Sequence, residues 1–283
     1  MLDLAAHIEA LIKDTSLLEE IHFDRRADVL EDLDAMPLEG SLWQKADTLR
    51  ARLERIDECL FEKLRNGIRN GTYELRDLVD TYVHPRETGT GYDNLDLFVN
   101  RLLSYRPLPE QTMTLEPDMV YFQKTPARIV FDMVGKINLA SEDVFIDLGS
   151  GNGQVVLLVH LLTGVHARGI EYDPTLCAYA QDMADSLRLP GVSFDNADVR
   201  EADLSQGTVF FMFTPFTGNL LHNVLERLKG ESRHRSIRVI TYGPCTAKVP
   251  GGPGTGKVPV GNWLTPLHPI STDAYTPAFF QSL

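Results

Sequence analysis

The feature that most constrains this chain is the run Asp147-Leu148-Gly149-Ser150-Gly151-Asn152-Gly153. The short apolar run 144–149 that leads into it has the length of a buried strand and ends in Gly149. The stretch 153–164 that follows has the length of a helix, and Gly164 closes it. Three glycines between a strand and a helix let the backbone turn sharply and pass close beneath a ligand. A dinucleotide cradle calls for a further glycine at 154 or 156, and those positions are Gln154 and Val156. The turn is therefore of the nucleotide-binding α/β kind but poorly suited to a pyrophosphate.

The residues beyond Gly164 keep the same rhythm. Strands are expected at 166–173, 192–199, 208–215 and 236–243, with helices at 174–190 and 218–230 between them. Strands alternating with helices predict an α/β fold: a Rossmann-like, mostly parallel sheet with helices on both faces. The extended runs 262–268 and 274–283, parted by a polar turn, predict a C-terminal antiparallel hairpin. Residues 1–105 read differently. Residues 1–16 form a helix rather than a leader, because Asp3 and Glu9 stand where a signal segment is basic or apolar. Leu49, Leu53, Ile56, Leu60 and Leu64 recur at helical spacing in a long helix that starts at Ser41 and ends at Asn70-Gly71. The expected organisation is a helical N-terminal domain, 1–105, and an α/β domain, 106–283. The second begins with a connector, 106–118, carrying Pro107, Pro109 and Pro117. Pro126 is expected at the first position of the next helix.

Three acids stand where the expected strands end: Asp147, Glu171 and Asp198. Open parallel sheets bind ligands at the carboxyl ends of their strands. Asp147 sits where a carboxylate acts on a cation, Glu171 where an acid accepts from two ribose hydroxyls, and Asp198 where one accepts from an adenine amino group. S-adenosyl-L-methionine fits this set. It carries a sulfonium and an amino group and has no phosphates.

Residues 116–134, EPDMVYFQKTPARIVFDMV, and 144–159, VFIDLGSGNGQVVLLV, resemble class I S-adenosylmethionine-dependent methyltransferases. Within them they resemble the disruptor-of-telomeric-silencing class of histone lysine methyltransferases. The resemblance covers residues 115–220. It implies that Asp147, Gly149 and Gln154 line the methionine end of the cofactor, in the loop that also carries Gly151 and Gly153. It also implies that Phe122 and Thr125 belong to a loop folded over the cofactor. The turn Phe213-Thr214-Pro215-Phe216 then faces the acceptor, with Thr214 and Phe216 as the catalytic pair. Thr214 stands where the histone enzymes carry Asn, so the acceptor stays open: a protein lysine, a small molecule, or RNA. A third alternative is a non-catalytic binding module.

Charge bears on the partner. The net charge is −13, and residues 1–40 hold eleven Asp/Glu against three Lys/Arg, a net of −8. Nucleic-acid binders are usually basic, so nucleic acid is disfavoured and a basic protein acceptor favoured. Cys59, Cys177 and Cys245 have no metal or disulfide spacing and the histidines no ligand spacing. No metal is expected, and the expected compartment is the cytoplasm. No apolar run reaches membrane-spanning length. One further motif, Gly251–Lys257, fits a phosphate loop on paper, but Val258 and Pro259 replace the hydroxyl residue and helix start it requires. A loop before the hairpin is expected there.

Overall fold

The computed structural model describes residues 3–84, 93–104, 106–250, 252 and 263–283. The Gly251–Lys257 motif lies outside the described residues, apart from Gly252. The chain divides into two compact units, Met1–Tyr105 and Arg106–Leu283.

The first unit is helical: α1 (Leu4–Lys13), α2 (Phe23–Ala35), α3 (Gly40–Arg69), α4 (Leu75–Tyr82) and α5 (Asn94–Leu103). Asp3 caps α1, and Asp93 and Asp96 form a capping box on α5. The apolar stripe of α3 is buried through Leu49, Leu53, Leu60 and Leu64. At its centre Phe23 meets Phe61 edge-on, with centroids 5.3 Å apart. Arg26 is fully buried beside them and donates to Asp57 Oδ1 at 2.6 Å. Three backbone carbonyls, Leu17 O at 3.3 Å, Glu20 O at 3.1 Å and Glu19 O, take further donors of the same guanidinium. Burial raises the Asp57 pKa, and the Arg26 and Arg101 guanidiniums oppose that rise. A charge this deep is tolerated only because its donors are satisfied.

The second unit holds α6 (Ala127–Ile137), β1 (Val144–Leu148), α7 (Gln154–Thr163), β2 (His166–Glu171), α8 (Pro174–Ser186) and β3 (Val192–Asn196). It continues with β4 (Val209–Phe213), α9 (Gly218–Ser232), β5 (Arg238–Tyr242), β6 (Leu264–Pro266) and β7 (Ala278–Ser282). The seven strands form one sheet in the order β3-β2-β1-β4-β5-β7-β6. The first five are parallel, and β7 and β6 run antiparallel. This is the Rossmann-like sheet with antiparallel C-terminal strands. The C-terminal strand is not at the edge: β7 lies between β5 and β6. Pro126 is the N-cap of α6 rather than its first residue.

Chain direction along the sheet reverses at β1. The chain passes from β1 through α7 and α8 to β3, then returns to pair β4 on the other side of β1. Right-handed crossovers running in opposite directions place α7 and α8 on one face and α9 on the other. On the α9 face, Val224, Leu225 and Leu228 share a buried cluster with Ile146, Phe210 and Val239. A crevice at the carboxyl ends of the strands, between β1 and β4, is the consequence of that reversal.

Candidate functional site

The crevice is a cavity of about 240 Å³. That is far above the ~10–15 Å³ that one water needs, so the cavity is ligand-sized. Its floor is the turn after β1. Gly149 and Ser150 donate backbone hydrogens to Ile170 O at 2.9 and 3.0 Å, which folds the turn back onto β2. Gly149, Gly151 and Gly153 all have positive φ, at 84°, 53° and 78°. A Cβ on Gly149 would lie 2.6 Å from Pro215, and one on Gly151 would lie 2.2 Å from the Phe122 ring. The floor is therefore bare backbone because nothing larger fits.

Asp147, next to last in β1, pairs with Gly169 on β2 and Phe211 on β4. It is 3% exposed and lines the cavity. Burial and the neighbouring Glu171 charge push its pKa well above the usual carboxylate range. No cation or donor among the described residues offsets them. Glu171, at the end of β2, accepts from Gly151 N at 2.7 Å on one oxygen and from Asp173 N at 2.8 Å on the other. Burial still raises its pKa, and those backbone donors resist the rise. Each carboxylate oxygen keeps a second acceptor site. Ser150 also lines the cavity, and its Oγ, packed over Gly169, is buried and without a partner among the described residues. An uncompensated acid, a two-oxygen acceptor and an orphaned hydroxyl over a bare backbone floor fit a ligand carrying a positive group and paired hydroxyls.

A strap, residues 106–126, crosses the carboxyl ends of the strands. Asp173 accepts from Thr112 N at 2.6 Å and Met113 N at 2.8 Å, while its other oxygen caps α8 through Thr175 N and Leu176 N. Those donors hold the Asp173 pKa down against burial. Phe122 N donates to Gln111 Oε1 at 3.2 Å, and Gln154 Nε2 donates to Thr125 O at 2.8 Å. Val120 N donates to Pro215 O at 3.1 Å. Phe122, Thr125 and Gln154 all line the cavity.

Two of the expected site residues have partners within the protein. Asp198 lies beyond β3, in the following loop, and lines the cavity. Its two oxygens already take Arg200 Nε, at 3.0 and 2.9 Å, which lowers its pKa. Arg200 then reaches Glu116 Oε2 on the strap at 2.7 Å. Thr214 lines the cavity in a left-handed conformation, φ 39°, unusual for a β-branched residue. Its hydroxyl donates to Tyr242 O at 3.1 Å and accepts from Cys245 N at 3.2 Å. The hydroxyl proton is thus committed to the backbone, while Thr214 still lines the cavity. Phe216, 7% exposed, is shared between the cavity wall and the α9 core cluster. Gly151 and Gly153 shape the turn rather than line the cavity.

Among the lining residues, the acids lie at the ends of β1, β2 and β3, while the β4–β5 end is aromatic and neutral. Phe213 and Tyr242 rings are 4.6 Å apart, and Tyr275 stands edge-on to Tyr242 at 5.8 Å. Sequence reading missed Asp173, Gln111, Ser150 and Tyr275. Asp173-Pro174 carried the signature of a helix start, but its bonds to Thr112 and Met113 cross some sixty residues.

Residues 117–241 match the family described as the histone methylation protein DOT1. The chain is similar to class I methyltransferases of the DOT1 kind, and methyl transfer is the reaction this match supports. Solved structures are similar as well. An RNA methyltransferase from Salinibacter ruber is 23% identical at a TM-score of 0.41, over 56% of this chain and 92% of that one. A SAM-dependent methyltransferase from Aquifex aeolicus is 14% identical at a TM-score of 0.42, over 56% and 93%. A geranyl diphosphate C-methyltransferase from Streptomyces coelicolor A3(2) is 19% identical at a TM-score of 0.33, over 42% of this chain. The chain spans 45% of that protein's length.

Proposed function

We propose that the second unit is a methyltransferase domain that binds S-adenosyl-L-methionine in the cavity and methylates an amine on a basic protein, a lysine side chain. The observation that carries the cofactor is Asp147, a buried acid with no counter-charge among the described residues. When bound, S-adenosyl-L-methionine supplies an electrophilic methyl group on a cationic sulfur. Asp147 balances positive charge at that end, and Glu171 accepts from the two ribose hydroxyls. Asp198 stays a candidate for the adenine edge through the acceptor capacity that Arg200 leaves free. Phe122, Thr125 and Gln154 close the cavity from the strap side. Gly149 lets the backbone approach the cofactor closely, and Gly151 and Gly153 keep the turn that carries it.

The acceptor half follows from the neutral wall. Phe213, Phe216 and Tyr275 offer no general base. A wall without charge disfavours an ammonium and favours the neutral amine, which is the nucleophile. Catalysis is then chiefly alignment of amine, methyl and sulfur in line. The net charge of −13 favours a basic protein over RNA. No helix of the described residues is long and apolar enough to cross a membrane. We take the chain to act in the cytoplasm, supported by three thiols that are all free.

The test uses tritiated S-adenosyl-L-methionine with core histones, total RNA and a small-molecule extract as separate acceptors. Label in histones, lost in Asp147→Asn, is expected. Label confined to RNA or small molecules overturns the acceptor. Calorimetry that detects NAD binding but no S-adenosyl-L-methionine binding overturns the cofactor.

A further inference from the structure

Helix α9 starts directly after the acceptor-side turn, and it lacks a cap of its own. Its N-cap residue, Thr217, makes no side-chain capping bond. The cap comes from far away in the sequence. Asp118, on the strap, accepts from Asn219 N at 2.9 Å through Oδ2, and its carbonyl accepts from Thr217 N at 2.8 Å. The Thr217 hydroxyl adds a 3.3 Å bond to the same carbonyl. The fit is tight: a Cβ on Gly218 would lie 2.3 Å from Asp118 Oδ1. Asp118 itself is held at φ 74°, in the left-handed region. Its neighbours continue the join. Met119 forms an antiparallel bridge with Phe216, and Val120 N donates to Pro215 O. Further along the strap, the Phe122 ring lies over Gly151.

One short piece of strap therefore touches both halves of the cavity. Phe122 meets the glycine floor, and Asp118 holds the turn that carries Pro215 and Phe216. A left-handed backbone is uncommon for a residue other than glycine, and the bonds to Thr217 and Asn219 hold Asp118 in it. A helix cap needs no such conformation when Asp or Ser stands at the N-cap itself. We propose, on the reading that the cavity holds S-adenosyl-L-methionine, that Asp118 is a positioning residue. It ties the strap to the acceptor turn, so that filling the cofactor half fixes residues 214–219.

Hydrogen exchange of the amides at 217–221, with and without S-adenosylhomocysteine as the probe ligand, tests this directly. In the wild type, saturating probe slows exchange there by about tenfold. The informative variant is Asp118→Ala with Thr217→Asp. The new carboxylate caps α9 from within and preserves the helix, while the side-chain part of the tie is cut and only the backbone bonds at 118–120 remain. In it the slowing drops below about twofold, while calorimetric affinity for the probe stays within about threefold. Asp118→Asn, which keeps an acceptor oxygen, retains most of the slowing. Wild-type slowing in the doubly substituted protein overturns the inference, as does affinity that falls in step with the slowing. A wild type that binds the probe without slowing at 217–219 overturns the inference alone. A wild type that binds no probe overturns the proposed function and takes the inference with it.

Discussion

At the scale of single residues, the site is built on a conflict that folding leaves unresolved. Asp147 would be more comfortable protonated, because burial and Glu171 both disfavour its charge. Asp147→Asn is therefore expected to raise the melting temperature of the cofactor-free protein at pH 8 by about 2–4 °C, roughly 1 kcal/mol for a domain of this size. The same change should weaken S-adenosyl-L-methionine binding by at least about tenfold, that is about 1.4 kcal/mol. Scanning calorimetry and titration calorimetry check the two halves. The pH dependence has a definite sign. The folded pKa is raised, so the stability carried by the neutral carboxyl is complete below the ordinary carboxylate range. It is lost as pH rises through the raised value. A bound cation favours the ionised form, so affinity should fall as pH falls through that same value. At a pH below that value, binding should also release a proton, measurable as a heat that varies with the buffer's ionisation enthalpy. Glu171→Ala is expected to cost roughly 2–4 kcal/mol of cofactor affinity without unfolding the chain, since it removes a charged acceptor from two hydroxyls. An unchanged dissociation constant would refute that role. Asp147 and Glu171 stood out as candidates in the sequence because each lies near the end of a segment of strand length, around the glycine-rich turn. The commitment of Asp198 to Arg200 was not legible, because two residues of spacing do not reveal a side chain folding back on its neighbour.

At the scale of elements, the strands and helices of the second unit were legible because apolar period and glycine punctuation coincide there. The strap was legible only as a connector. Its attachments at Asp173, Arg200, Pro215 and Asn219 join residues sixty or more positions apart, and local pattern carries no record of them. The left-handed Thr214 was equally hidden, since a β-branched residue argues against that conformation. Gly151→Ala is expected to act on the strap rather than on β1. Its methyl would drive Phe122 off the floor and adopt a disfavoured φ, costing about 1–2 kcal/mol of stability. Cofactor affinity should fall further than that, and faster tryptic cleavage after Lys124 would report the released strap. Cleavage at the wild-type rate would show that Phe122 moves aside without loosening it.

At the scale of the whole molecule, the two units offer separate optical reporters. The chain has two tryptophans, Trp43 half-exposed in the first unit and Trp263 buried in the second. Arg26→Ala leaves Asp57 charged and buried without its main partner, which typically costs about 3–5 kcal/mol. In a Trp263→Phe background, urea unfolding followed through Trp43 should shift to lower denaturant by that amount. A midpoint that does not move would show that Arg26 is dispensable to the first unit. The alternation of strands and helices that begins near residue 144 was legible, whereas the place of β7 was not. Hairpin patterning says that two strands pair, not which of them docks. That placement has a consequence for how the protein is made. On the ribosome β1 to β5 emerge first, and the outer edge of β5 stays unpaired until residues 278–282 arrive. β6 leaves the tunnel earlier but pairs only with β7, so it cannot shield that edge in the meantime. For the time it takes to synthesise some forty residues, the nascent chain presents Val239, Ile240 and an open row of backbone donors to anything nearby. Holding that edge apart from its neighbours is the task this topology hands to the cell's chaperones.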